Sequence, residues 1–305
     1  MPKYHIDDLF DAVFDRKFDK VKEIIESGFE DINEIYGECY ILHSIVDDDE
    51  DDDEMIEITK YLIEHGADVN KTDEYEDDYG HEHNDTGYTP IHLAANHHNA
   101  NFIKLLLSYG ADPNIQDNEN HYNALHHVVS GNVRYVLEGY NEEDAVEEAI
   151  ELLISHGVNI NAESWKHKTP LHLAIKSGFT KISKYLIEHD ANVNIEDRNG
   201  YTPLHLASML GNFEIVKSLL EHNASPNVVY GAYDTPLHLG IKSLNVDVVK
   251  LLIQYGADMK AENRKGETPT MLIRNAAKIG SLIFTSNSSD PITNDYIDSF
   301  IQTEQ

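Results

Sequence analysis

A recurring hexapeptide constrains this chain more than any other feature of its sequence. It reads Thr-Pro-Leu-His-Leu-Ala at Thr169 and at Thr202, and variants of it begin at Thr89, Thr235 and Thr268. The last four of these starts are spaced by 33 residues each time. A fixed period of this length is typical of stacked structural repeats, which bury their apolar faces only against one another. We therefore expect a single structural unit that is repeated along the chain.

Each full repeat is predicted to form two helices and a loop. In the copy that begins at Thr202, Pro203 suits the first turn of a helix, where its missing N–H has no partner to lose. Gly211 and Asn212 break this helix, and apolar residues at helical spacing predict a second one. The predicted buried positions are Leu204, Leu206, Ala207, Ile215, Val216, Leu219 and Leu220. The repeat ends in a Gly-Ala-Asp-x-Asn type of turn, in which Gly or Asn accepts the left-handed conformation.

These two motifs together resemble the ankyrin repeat. The turn motif stands, for example, at Gly66–Asn70 and Gly110–Asn114, and the resemblance covers about residues 5 to 280. It implies an all-α solenoid of antiparallel helix pairs that are joined by hairpin-like fingers. It also implies that the chain recognises a protein on the concave face made by the fingers and first helices.

The expected array spans residues 1–280 and is followed by a polar tail at 281–305. We expect this tail either to add a short capping helix or to stay disordered. The array is expected to contain a polar capping repeat at 5–37, repeats near 38–70, 88–120, 122–161, 168–199, 201–232 and 234–265, and a partial cap at 267–280.

Charge is distributed very unevenly along the chain. The formal net charge is −32, and residues 1–161 carry 39 acidic and 9 basic side chains. Residues 162–280, by contrast, carry 12 acidic and 14 basic side chains. Because contacts with phosphate need lysine and arginine, we expect no direct binding of nucleic acid by the acidic half. This half favours a basic protein partner.

Three acidic insertions interrupt the period within the first four repeats. The extra residues are expected between two helices around 47–54, in a finger around 73–85, and between two helices at 131–146. The two between-helix insertions are predicted to protrude at the edge remote from the fingers and to form an acidic ridge there. The finger insertion is predicted to project at the opposite edge. Their leading acidic positions are Asp47, Asp48, Asp49, Glu50, Asp51, Asp52, Asp53, Glu54, Asp73, Glu74, Glu76, Asp77, Asp78, Glu142, Glu143 and Asp144.

Metal binding is a hypothesis for two segments. The run 47–54 is open to three interpretations, namely a solvated loop, a docking site for a basic partner, or a calcium site. It lacks the glycine and the final glutamate that an EF-hand loop requires. The second segment is the histidine group His81, His83, His97 and His98. Without a cysteine-containing zinc arrangement, we expect no metal site and no cofactor.

Catalytic motifs of the nucleotide-binding, metalloprotease and serine-hydrolase types do not occur, so we expect no enzyme. Cys39 is the only cysteine, which excludes an intramolecular disulfide and predicts a reducing compartment. The first residues show no secretory signal, and no stretch approaches the roughly 20 apolar residues of a membrane helix. We expect a monomeric, cytoplasmic protein that makes no membrane contact.

Finger tips are the predicted contact positions, because the repeat does not dictate their side chains. Tyr, Trp and Arg dominate binding hot spots, since they bury large areas at modest entropic cost. The tip positions are Tyr88, His121, Tyr122, Trp165, Lys166, His167, Arg198, Tyr201, Tyr230, Tyr233, Arg264 and Lys265. Tyr88 and Tyr201 have a second interpretation, in which they pack on the next finger. Lys176, Ser208, Met209 and Lys242 are predicted to continue the same surface along the first helices.

The sequence therefore predicts non-catalytic recognition of a protein partner, with an acidic amino-terminal half that attracts a basic partner. An alternative is an acidic decoy, an inhibitor or immunity-type protein that imitates the charge of nucleic acid. The two hypotheses differ in their dependence on salt and on the aromatic finger-tip residues.

Overall fold

The computed structural model describes residues 4–37, 39–48, 52–73, 75–76, 82–83, 86–130, 142–228 and 234–278. Within these residues the chain forms fifteen α-helices and two short β-strands. The predicted all-α class is confirmed. The chain divides into two compact units, unit 1 at Met1–Trp165 and unit 2 at Lys166–Gln305.

Both units are built from helix pairs. Unit 1 contains α1 (Ile6–Phe14), α2 (Phe18–Glu26), α3 (Ile41–Asp47), α4 (Asp53–Glu64), β1 (Tyr75–Glu76), β2 (Glu82–His83), α5 (Pro90–Asn96), α6 (Ala100–Ser108), α7 (Ala124–Ser130) and α8 (Glu142–Ser155). Unit 2 contains α9 (Pro170–Ser177), α10 (Thr180–Glu188), α11 (Pro203–Leu210), α12 (Phe213–Glu221), α13 (Pro236–Lys242), α14 (Val246–Gln254) and α15 (Pro269–Lys278).

First helices pack on first helices, and second helices pack on second helices. In unit 1, α5 lies between α3 and α7, while α6 lies between α4 and α8. In unit 2, α11 lies between α9 and α13, while α12 lies between α10 and α14. The core of each unit runs between these two layers. All the buried positions predicted for the repeat at Thr202 are confirmed, with Leu206 the most exposed of them at 8%.

A histidine caps the first helices through the repeated motif. Thr169 precedes α9, and its N–H donates to Nδ1 of His172 at 3.2 Å. The Nε2 of His172 then donates to the carbonyl of Tyr201 in the next repeat at 3.1 Å. This arrangement satisfies an otherwise orphaned helix-start donor, as a capping box does, and it ties consecutive layers together. The histidine is buried in this arrangement, and desolvation lowers the pKa of His172.

An asparagine at the end of each repeat joins its turn to the next one. In unit 2, Nδ2 of Asn194 donates to the carbonyl of Asn223 at 3.2 Å. Its Oδ1 accepts from the N–H of Ser225 at 2.9 Å. Asn70 makes the equivalent bonds to Gly110 and Asp112 in unit 1. The last residue of the turn motif therefore sets the register between layers.

The acidic insertions are more helical than the sequence predicts. Asp53 and Glu54 form the first turn of α4, and Asp52 caps it by accepting from the N–H of Met55 at 2.9 Å. Glu142, Glu143 and Asp144 likewise begin α8, which is 14 residues long. The expectation that these acids all lie between helices is wrong, because carboxylates at a helix start are favoured by the helix dipole.

Candidate partner-binding surface

A buried aspartate or asparagine closes the base of four fingers, at Asp73, Asp117, Asp197 and Asn263. In unit 2, the N–H of Asp197 donates to the carbonyl of Tyr201 at 2.8 Å, and Oδ1 of Asp197 accepts from the N–H of Tyr201 at 3.0 Å. In unit 1, Asp73 makes both bonds with Tyr88, each at 2.9 Å. The sequence predicts Asp73 to be part of a protruding acidic insertion. The structure corrects this, since its side chain is buried and holds the finger base.

The finger insertion lies between the two residues that close this base, Asp73 and Tyr88. Thr86 donates its hydroxyl to Oδ2 of Asp73, so the chain returns to the base before α5 begins. Beyond the base, Tyr75–Glu76 pairs antiparallel with Glu82–His83 as a short hairpin. Glu74, Asp77 and Asp78 lie outside the described residues.

Tyr88 and Tyr122 are half-buried rather than projecting freely from the finger tips. The Tyr88 ring contacts the His92 and His127 rings, with centroids 6.0 and 5.0 Å away. Its hydroxyl donates to Oε2 of Glu119 at 2.9 Å. Burial and this carboxylate raise the pKa of Tyr88 well above its usual range, so the phenol stays protonated. The packing interpretation of Tyr88 agrees with these contacts, and a role in partner binding stays a prediction.

A buried histidine–aspartate hydrogen bond lies beneath the same fingers. Nε2 of His127 is 2.7 Å from Oδ2 of Asp117, and both side chains are nearly inaccessible. Burial works to raise the pKa of Asp117, but hydrogen bonds from His127 and from the Asn120 N–H outweigh it and hold the pKa below its usual value. Sequence patterns do not reveal this pair, because its two members come from consecutive repeats, Asp117 from a finger and His127 from the first helix that follows it.

Trp165 is the most exposed of the large hydrophobic side chains that the structure describes, at 57%. It rests on His121, with ring centroids 3.8 Å apart and planes inclined by 32°. The Trp165 N–H also donates to the carbonyl of Asn120 at 3.0 Å, which fixes the backbone beneath the indole. An aromatic group held in place while exposed loses little entropy when a partner covers it.

Two exposed glutamates belong to the fingers that hold this stack. Glu119 lies in the same finger as His121, and both Glu119 and Glu163 are exposed. Nε2 of Gln116 donates to the carbonyls of His121 and Glu163, at 2.7 and 3.1 Å, and so joins the two fingers. Neither glutamate is distinguished by sequence alone, because the link between neighbouring fingers appears only in the fold.

The tips of unit 2 are cationic. Lys166, His167, Arg198, Arg264 and Lys265 are all exposed. The N–H of Arg198 donates to the carbonyl of Lys166 at 2.9 Å, so these two tips are neighbours. Tyr201 is half-buried, with its ring 5.8 Å from that of His205. Tyr230 and Tyr233 lie outside the described residues.

The predicted extension of this surface along the first helices is partly wrong. Lys176, Met209 and Lys242 are exposed, as expected. Ser208 is fully buried in α11. Its position directly before Met209 places it on the inner side of the helix, where successive residues point about 100° apart.

The acidic run 47–54 is exposed wherever the structure describes its side chains, at Asp47, Asp48 and 52–54. Asp52 forms an ion pair with Arg16 of the first repeat. Asp49, Glu50 and Asp51 lie outside the described residues, as does His81.

His97 and His98 of the histidine group have protein partners. His97 lies 3.4 Å from Oδ1 of Asp47, and Nε2 of His98 donates to the carbonyl of Val128 at 2.8 Å. Among the described residues, no three or more His, Cys, Asp or Glu side chains are grouped to hold a metal ion. None of the described helices combines the length and apolar character needed to cross a membrane.

Histidine-capped helix pairs and fingers closed by a buried aspartate define a helical-repeat protein. Two sequence-family models identify the repeat. The model described as ankyrin repeats (3 copies) matches residues 54–146 and 141–230, and the single ankyrin repeat matches 233–264. These matches cover more than half of the chain, which therefore belongs to the ankyrin repeat family. Ankyrin repeats are generally protein–protein interaction modules and are typically non-catalytic.

Curated relatives share only part of their length with this chain. An ankyrin repeat protein of Fowlpox virus (strain NVSL) is 31% identical over 149 residues, which are 42% of this chain and 18% of that protein. A serine/threonine-protein kinase of Dictyostelium discoideum is 35% identical over 91 residues, 30% of this chain and 10% of the kinase. The transient receptor potential channel pyrexia of Drosophila melanogaster is 33% identical over 146 residues, 41% of this chain and 14% of the channel.

A solved structure agrees with the fold. The ankyrin repeat domain of Bcl-3, a member of the IkappaB protein family, superposes with a TM-score of 0.60 at 22% sequence identity. The match covers 76% of this chain and 92% of that domain. At this identity, the similarity concerns the fold alone.

Proposed function

We propose that this chain is a non-catalytic recognition module that binds a basic partner protein through the fingers of unit 1. The observation that carries the proposal is the Trp165–His121 stack, a 57% exposed indole held on a fixed backbone. A surface of this kind is preorganised for a partner, so little ordering entropy is lost on binding.

Charge supports a basic partner for this unit. Met1–Trp165 contains 40 acidic and 9 basic residues. Glu119 and Glu163 are exposed in the two fingers that hold the stack, and an arginine placed over an aromatic face near carboxylates gains both cation–π and Coulomb attraction. The surrounding negative field would also speed the approach of a positively charged protein.

The test is quantitative capture of partners by the full chain and by Trp165→Ala, at about 50 mM and about 500 mM salt. A genuine partner should bind Trp165→Ala about 30-fold more weakly, the cost of about 2 kcal/mol that a hot-spot tryptophan represents. Tyr255→Ala is the matched control, because Tyr255 is a 43% exposed aromatic residue at the end of α14 in unit 2.

The same experiment distinguishes recognition by the fingers from the acidic-decoy alternative. Decoy binding should collapse between the two salt concentrations and should survive Trp165→Ala, because it depends on charge number rather than on shape. Capture that is equal for the wild-type chain and Trp165→Ala at both salt concentrations would contradict finger recognition.

A further inference from the structure

Two equivalent positions in unit 2 hold an ion pair in one repeat and two lysines in another. The positions are the residue directly before the helix-capping threonine and the residue seven places after that threonine. Before and within α13 they are Asp234 and Lys242. Before and within α9 they are Lys168 and Lys176.

The geometry of the first pair defines that of the second. Nζ of Lys242 donates to Oδ2 of Asp234 at 2.6 Å, so side chains at these two positions reach each other. The helices α9 and α13 start in the same way, with a threonine cap, proline in the first turn and a histidine capping box. In the α9 repeat, two lysines therefore stand at the positions that hold a carboxylate and an ammonium group in the α13 repeat.

The lowered pKa of Lys168 agrees with a position close to Lys176. Burial lowers the pKa of Lys168, the charges of Lys176 and Lys166 lower it further, and Asp197 opposes them. Asp197 is itself buried, and its Oδ1 already accepts from the N–H groups of Asn199 and Tyr201 at 2.8 and 3.0 Å. The repulsion between the lysines is relieved when an anion enters.

The positive charge extends beyond the lysine pair. The backbone bond from Arg198 to Lys166 brings two more exposed cations to the neighbouring finger tips. These four cationic side chains outnumber the two carboxylates of the Arg198 finger, Glu196 and Asp197. The group Lys166, Lys168, Lys176 and Arg198 is named the cationic patch.

We propose that the cationic patch binds carboxylate side chains of an acidic segment in a partner protein. This proposal rests on the proposed function only for the class of ligand, a protein, since it uses different residues, of opposite charge. The ligand carboxylate would lie between the Lys168 and Lys176 ammonium groups and pair with Lys176 as Asp234 pairs with Lys242.

The repeat between these two helices defines a second feature of the ligand. Met209 of α11 stands at the position equivalent to Lys176 and is 45% exposed. Because α11 packs beside α9, Met209 lies about one helix layer, roughly 10 Å, from Lys176. An extended peptide covers that distance in about three residues. The fitting segment therefore carries Asp or Glu followed three residues later by an apolar side chain.

Nucleic acid is a poorer occupant than an acidic peptide. Asp234 shows that a carboxylate can bind the lysine seven places after the threonine, and Met209 offers an apolar contact that a phosphate backbone does not use. The chain as a whole also carries a formal charge of −32, which repels a long polyanion.

The test measures fluorescence anisotropy of a labelled peptide of about twelve residues, with Asp-Asp-x-x-Leu in a Gly/Ser background, binding to the full chain. Lys168→Gln/Lys176→Gln should weaken binding about tenfold or more. Lys184→Gln/Lys217→Gln is the control, since it removes the same charge from exposed lysines on α10 and α12. The control should stay within about twofold of wild type.

Lys168→Asp provides a second variant, because it copies the Asp234–Lys242 pair into the α9 repeat. Its new carboxylate should occupy the place of the ligand beside Lys176, abolish peptide binding and leave the thermal unfolding midpoint unchanged or higher. Equal losses in the patch and control double variants, or no binding by the wild type, would overturn the proposal. The proposal is also overturned if single-stranded DNA binds at least as tightly as the peptide and with the same dependence on Lys168 and Lys176. Trp165→Ala should leave peptide affinity unchanged, so this proposal and the proposed function fail separately.

Discussion

Leu244 is held in the left-handed backbone region, with φ at 63°. Gly178 and Gly211 take the same place after the first helix in the two preceding repeats, at φ of 80° and 67°. A side chain in this conformation costs about 1–2 kcal/mol, because its Cβ approaches the following carbonyl oxygen. The leucine side chain is 49% exposed, so burial offsets little of this strain.

Leu244→Gly should therefore raise the free energy of unfolding, measured by urea denaturation, by about 0.5–1 kcal/mol. The gain is smaller than the strain because glycine also makes the unfolded chain more flexible. Gly178→Leu is the reverse change, and a Cβ there meets no heavy atom within 4 Å, so no contact of the new Cβ adds to the backbone strain. It should lower the free energy of unfolding by about 1 kcal/mol. A destabilising effect of Leu244→Gly would contradict the strain.

At the scale of an element, the finger insertion leaves an ordinary finger unchanged at its base. The chain reads Asp73, then the inserted residues, then Asp85-Thr86-Gly87-Tyr88, which matches the pattern Asp-x-x-Gly-Tyr at 197–201. Gly87 has φ of 67°, and a Cβ on it would lie 2.9 Å from the Asn118 side chain in the next finger. The base is thus both closed internally and packed against its neighbour.

Deletion of residues 74–84 should therefore be tolerated. It joins Asp73 to Asp85 and recreates the unmodified finger, so the free energy of unfolding should stay equal or rise by up to about 1 kcal/mol as the closed loop shortens. Asp73→Ala is the contrasting variant and should cost about 2 kcal/mol, because it leaves buried donors without acceptors. A deletion variant that unfolds as readily as Asp73→Ala would show that the insertion supports the fold.

The repeat elements could be predicted from sequence, whereas the details of the surface could not. Thr202 and its equivalents start helices for local reasons, so period and capping predict them. The role of Asp73 was hidden because the insertion separates it from Tyr88, while Asp197 and Tyr201 are four residues apart. The sequence alone does not single out Lys168, because its role depends on Lys176, which lies near the other end of α9.

At the scale of the whole molecule, two effects of acid oppose each other. Protonation of carboxylates relieves the self-repulsion behind a formal charge of −32, but carboxylates ordinarily titrate near pH 4. The capping histidines affect stability at higher pH, because in the unfolded chain they take up protons near pH 6.5. Burial is the main cause that lowers the pKa of His92 to about 3 in unit 1 and that of His205 to about 4 in unit 2. Between pH 7 and pH 5, the histidines should therefore dominate.

Stability should fall with pH because the folded and unfolded chains bind protons at different pH. The unfolded chain binds protons at these histidines below about pH 6.5, whereas the folded chain keeps them neutral down to their lowered pKa values. Their contribution to stability is full above the unfolded pKa and is lost as pH falls towards the folded pKa. By pH 5 each of these histidines should have cost about 2 kcal/mol, which urea unfolding at pH 7 and pH 5 measures.

His205→Gln isolates one of these contributions. Glutamine is a regular capping-box partner at this helix position, so the variant keeps the cap and removes the titrating group. The difference in unfolding free energy between pH 7 and pH 5 should shrink by about 2 kcal/mol relative to wild type. His189→Gln, at an exposed position at the end of α10, should change that difference much less. If His205→Gln and wild type lose the same stability over this interval, the capping histidines are not the source of the acid sensitivity.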